Sequence, residues 1–125
     1  MPDPTATFFD ELARRGHERR VVDASGSIRL DLVNQGQLDR WFVTVQSGDI
    51  HVSKDEREVD SVIHAERTFF DRVVVGEYSL YAALLSGDVR VEGDLYMFRV
   101  LIRVLPSPPH AHHPRTFARD KGQRT

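Results

Sequence analysis

The chain contains no cysteine. That excludes a disulfide framework, thiol catalysis and a thiolate metal site. No apolar run approaches the roughly 18 residues that a membrane span requires. The first residues are polar and acidic, so no signal peptide is expected. The last three, Gln123-Arg124-Thr125, are not the Ser-Lys-Leu address, so peroxisomal import is not expected either. Serine and glycine never combine into a nucleophile elbow, a phosphate loop or a dinucleotide fingerprint. The net charge is −2 and no basic stripe runs through the first hundred residues, which argues against nucleic acid as a partner. A cytoplasmic protein is the default expectation.

At 125 residues the chain fits one domain with a modest core. Its charge is uneven. From Pro106 onward Arg115, Arg119, Lys121 and Arg124 stand against Asp120, a net +3 that leaves −5 on residues 1–105. The segment 106–125 is rich in proline and histidine and has no apolar period, so it is expected to be disordered. His110, His112 and His113 lie in it, without the rigid support a metal centre needs. No metal and no cofactor are expected.

Within residues 1–105 the apolar periodicity predicts both helices and strands. Thr7-Phe8-Phe9-Asp10 reads as an acidic capping box opening a helix that stops at Gly16. Residues 17–25 read as a linker. Ser27–Val33 alternates with period two and predicts a strand. Asn34-Gln35-Gly36-Gln37 is a turn, and Leu38–Gln46 the return strand. Trp41, Val43 and Val45 share one face of it, and Phe42 and Thr44 the other. A second turn at Ser47-Gly48-Asp49 leads to a strand at Ile50–Ser53, completing an antiparallel meander. Lys54–Glu58 is a charged loop, and Val59–Ala65 predicts a fourth strand. Thr68-Phe69-Phe70-Asp71 repeats the capping pattern and opens a short helix ending near Gly76. Another short helix closes at Gly87, Val89–Glu92 forms a fifth strand, and a last helix runs from Asp94 to Pro106.

The chemical signal is mainly apolar. Phe69, Phe70, Val73, Val74, Leu80, Leu84 and Leu85 crowd two short helices, and Met97, Phe98 and Leu101 extend the set. In the last helix only Arg99 and Arg103 are charged, four residues apart on one face. A surface helix needs an apolar stripe of only roughly 100°. The surplus must meet a core, a partner or an apolar ligand, and the pattern leaves all three open. Acid–base chemistry has a weaker claim: Asp60, His64 and Glu66 fall on one strand face, which also reads as the solvent face.

The order of elements comes with particular residues: Gly26-Ser27-Ile28-Arg29-Leu30-Asp31-Leu32 before the meander, Asp60-Ser61-Val62-Ile63-His64 in the fourth strand, Gly76 between the short helices, and Gly87-Asp88-Val89-Arg90-Val91-Glu92-Gly93-Asp94 before the last helix. Over roughly residues 5–105 this resembles the sterol carrier protein type 2 (sterol-transfer) domain family. The resemblance implies an α+β fold: a five-stranded, mostly antiparallel sheet covered on one face by about four helices, with an apolar tunnel between. It implies non-catalytic binding or transfer of a sterol, fatty acid, fatty acyl-CoA or phospholipid. The expected tunnel residues are Trp41 or Phe42, Phe69, Phe70, Val73, Val74, Leu80, Leu84, Leu85, Met97, Phe98 and Leu101, with Arg99 and Arg103 as candidates for a head group. The expected partner is an apolar small molecule, with transient membrane contact and a homodimer as further partners. Two rival readings stand: a module that buries its apolar helices against a partner, and a small isomerase or hydratase using Asp60 and His64.

Overall fold

A computed structural model describes residues 3–106. The elements run α1 (Pro4–Arg15), a 3-10 turn (Arg19–Val21), β1 (Ser25–Asn34), β2 (Gln37–Gln46), β3 (Asp49–Ser53), β4 (Ser61–Glu66), α2 (Arg67–Val74), α3 (Leu80–Ser86), β5 (Arg90–Gly93) and α4 (Leu95–Val104). The expected α+β class, five strands and four helices are all present. The proline- and histidine-rich tail, with His110, His112 and His113, lies outside the described residues.

The strands form one sheet in the order β3-β2-β1-β4-β5. Three of the four pairings are antiparallel; β1 and β4, at the centre, run parallel. Alternation sets the two faces. Ile28, Leu30 and Leu32 of β1 point to one side, and Val43 and Val45 of β2, Ile50 of β3 and Ile63 of β4 join them across the ladders. The helices cover this side and complete a single apolar cluster. The β2–β3 hairpin turns on Ser47 and Gly48, with φ of 49° and 91°. A side chain on Gly48 would come within 2.9 Å of the His17 ring and 3.1 Å of the Val22 backbone, so only glycine fits this turn.

Two predicted helix starts are corrected. α1 begins three residues before Thr7: Asp3 is its N-cap, accepting a hydrogen bond from Ala6 N at 3.1 Å, and Pro4 occupies the first turn. α2 begins at Arg67 after Glu66, with no side-chain cap. Asp71, expected to help cap it, accepts instead from Thr5 Oγ1 of α1 at 2.6 Å. The start of α4 matches expectation, with Asp94 accepting from Tyr96 N, and α3 is capped by Ser79, which accepts from Ala82 N.

Candidate functional site

α4 lies along the covered face of the sheet. Met97, Phe98, Val100, Leu101 and Val104 are buried on one side of it, while Arg99 and Arg103 are exposed on the other. Between α4 and the sheet is a small, wholly apolar cavity of about 10 Å³ lined by buried side chains. α4 supplies Met97, Val100, Leu101 and Val104; Leu12, Ile28, Val43, Val45 and Ile50 complete the wall. That is roughly the space of one water molecule, and a dry lining offers water no partner. A lipid fits only if this layer expands. Met97, unbranched and polarizable, is suited to such adjustment.

Beside the cavity, Phe9 of α1 stacks between Trp41 and Phe70, with centroid distances of 4.6 and 6.2 Å. Trp41 pairs across the ladder with Leu30 and so faces the helices. Phe42 faces away and is corrected as a tunnel residue. It is 2 % exposed on the opposite sheet face and outside the main core cluster. There the β3–β4 connection crosses the strands, held by Arg40 to Glu56 at 3.3 Å and Arg57 to Thr44 at 3.4 Å. Phe70, Val73, Val74, Leu80, Met97, Phe98 and Leu101 are buried among core residues. Phe69 and Leu84 are half-buried, the former edge-on to Tyr78. Leu85 is 72 % exposed and is corrected too, because α3 turns it outward. The sequence reading missed Leu12, Ile28, Val43, Val45, Ile50, Val100 and Val104; strand alternation carried the signal for most of them.

A groove of about 480 Å³ opens outside the core, between α1 and the carboxyl ends of α2 and α4. Phe8, Val74, Val104 and Pro106 give it an apolar floor, and Glu11, Arg14, Arg15 and Arg20 rim it. Glu18 organises part of that rim, at 2.9 Å from Arg20 and 3.1 Å from Arg15. Hydrogen bonds from the Arg20 side chain and backbone pull its carboxyl down to about 2, against some opposition from burial. Of the two arginines expected at a head group, Arg103 pairs with Asp23 at 3.0 Å.

The sheet face away from the helices carries a polar array. Asp31, 3 % exposed, accepts two hydrogen bonds from Arg29, at 2.8 and 3.0 Å, and lies 3.2 Å from Arg40. His64 sits 3.8 Å from Asp31 and meets Glu92 with its other ring nitrogen. Asp60 is occupied elsewhere, accepting from Ser27 N at 2.9 Å. The expected pairing of Asp60 with His64 is therefore replaced by one of Asp31 and Glu92 with His64. Among the described residues no group of three His, Asp or Glu side chains is placed to hold a metal ion.

A model of the SCP-2 sterol transfer family matches residues 9–106. The chain belongs to the SCP-2 sterol transfer family. Membership supports apolar lipid binding or transfer as its activity. No curated protein matches the chain. Among solved structures, sterol carrier protein 2 like 2 from Aedes aegypti is similar at 15 % identity and a TM-score of 0.61, over 82 % of this chain and 96 % of that one. Sterol carrier protein 2 from Yarrowia lipolytica, in its apo form, is similar at 15 % identity and a TM-score of 0.63, over 83 % and 91 %. The sec-alkylsulfatase Pisa1 from Pseudomonas sp. is similar at 19 % identity and a TM-score of 0.64; this SCP-2 family chain is matched over 86 % of its length but spans 16 % of that enzyme. These identities establish a shared fold. No helix among the described residues of this SCP-2 family member is long and apolar enough to cross a membrane.

Proposed function

We propose that this chain is a non-catalytic carrier that holds an apolar lipid between its sheet and helices, with residues 1–105 forming the binding domain. The observation that carries this reading is the wholly apolar cavity under α4, in a member of a sterol transfer family. Burial of a sterol or acyl chain there would supply about 25 cal/mol per Å² of apolar area, less the cost of ordering. The proposed walls are Trp41 and Phe70 at one end and Met97, Phe98, Leu101 and Val104 along α4. One of the similar structures, from Aedes aegypti, is described as palmitated, so a long-chain acyl ligand is the first to try. Native mass spectrometry of gently purified protein tests the reading. A defined lipid-sized mass increment is expected; its absence after incubation with palmitate and with cholesterol would sink the carrier.

A second reading, a module that buries helix surface against another copy, draws on Tyr81 and Leu85. They lie four apart on α3 and are 47 % and 72 % exposed. Light scattering separates the two: a lipid-free dimer favours the module, a lipid-loaded monomer the carrier.

A further inference from the structure

We propose that the arginine-rimmed groove is the entrance through which ligand reaches the cavity, with Val104 as its gate and Arg14 as the receptor for an anionic head group. This rests on the carrier reading. Val104 lines both the apolar cavity and the outer groove, so its side chain stands between the buried interior and water. It is also the last residue of α4, and the next residue, Leu105, is already extended. Helix ends open more readily than helix middles, because their last carbonyls lack intrahelical partners. The gate therefore stands where the wall is both thinnest and easiest to move.

The groove's chemistry names the class of ligand. Its floor of Phe8, Val74 and Val104 suits an alkyl chain, while its rim carries three arginines against Glu11. Glu18 already engages Arg15 and Arg20. Arg14 is exposed and makes no ion pair among the described residues. An amphiphile with a carboxylate or phosphate head matches both parts. A neutral sterol would leave the cations unused. The segment after Pro106 carries net +3 in sequence, the wrong sign for this rim.

Palmitate and hexadecanol, equal in chain length, test this by titration calorimetry at pH 7.5. Stopped-flow fluorescence of Trp41, the single tryptophan, gives the association rate. Arg14→Gln is expected to weaken palmitate roughly threefold to tenfold and to leave hexadecanol unchanged, the range for one partly exposed charged hydrogen bond. Val104→Ala is expected to speed palmitate association severalfold. Val75→Ala, at a site 53 % exposed at the end of α2, is expected not to change it. Palmitate binding that is untouched by Arg14→Gln but weakened by Arg99→Gln overturns the head-group assignment and leaves the carrier standing. An unchanged association rate in Val104→Ala overturns the gate. If the unaltered protein binds neither lipid, the carrier reading fails, and the entrance with it.

Discussion

Phe9 lies against Trp41 with 21° between the ring planes and 4.6 Å between their centroids. The contact joins α1 to β2. Phe9 is fully buried, and its second neighbour is Phe70 of α2. One side chain thus ties two helices to the sheet. Phe9→Ala is expected to cost about 3–5 kcal/mol, through lost transfer energy and the void left behind. Urea unfolding followed by Trp41 fluorescence measures it. A loss under about 1 kcal/mol would show that the helices collapse freely onto the sheet.

Arg67, at the start of α2 and 9 % exposed, pairs with Asp3 of α1 and Asp39 of β2, and lies 3.8 Å from Asp71. Burial disfavours its charge, but the hydrogen bond to Asp3 and the field of the three carboxylates outweigh burial and raise its pKa. Removing it leaves those carboxylates facing one another. Arg67→Met is expected to destabilise by about 2–3 kcal/mol, below the full cost of breaking a buried pair because Asp3 is half exposed. Arg67→Lys is expected to recover only part of this, since a single ammonium nitrogen cannot reproduce the two guanidinium nitrogens that reach Asp3 and Asp39 separately. Thermal unfolding of the two variants provides the comparison; a Tm for Arg67→Lys equal to that of the unaltered protein would refute the forked role.

Glu18 gives a pH dependence with a defined sign. Its carboxyl is held at about 2, below the ordinary 4.5, mainly by hydrogen bonds from Arg20. A depressed carboxylate contributes stability in full above the unfolded pKa and loses it as pH falls through the folded one. Stability is therefore expected to decline between about pH 4.5 and pH 2 by roughly 1 kcal/mol from this group, once solvent around the half-exposed arginines is allowed for. Glu18→Gln should flatten that part of the curve. The same slope in both proteins would place the titration elsewhere.

Gly93 ends β5 with φ of 87°, and a side chain there would come within 2.5 Å of the Asp60 carbonyl oxygen. Gly36, in the β1–β2 turn, has φ of 81° but open space around it. Gly36→Ala is expected to cost about 1 kcal/mol, from backbone conformation alone. Gly93→Ala should cost about 2 kcal/mol more, because β4 and β5 must separate as well. Amide hydrogen exchange at Val62 and Glu92, which pair across the ladder, would report that separation, and protected amides in Gly93→Ala would argue against it.

Local pattern made much of this fold legible. The alternation of Ile28, Leu30 and Leu32 with Arg29 and Asp31 marks the buried side of β1. The two-residue turn at Gln35-Gly36 then fixes which β2 residue faces Leu30. The choice between Trp41 and Phe42 was thus already contained in the hairpin's register. Asp3 followed by Pro4 also carried the start of α1, although Thr7 offered a competing cap. Other features depend on contacts distant in sequence. Asp71 serves Thr5, 66 residues away, and no local pattern announces that. The partners of His64 come from β1 and β5, so they follow only once the parallel β1–β4 pairing is known. The closed state of the cavity depends on how side chains from every layer interlock, which periodicity does not encode.

The two outer strands of the sheet are its shortest: β3 has five residues and β5 four. One end of β3 is further occupied by a bridge between Asp49 and His17. A protein that parts its helices to admit a lipid wets its apolar sheet each time it does so. Long bare edges would then invite another chain to add a strand, the first step of aggregation. Edges this brief offer little ladder to extend, so the opening proposed above would expose little template for another chain.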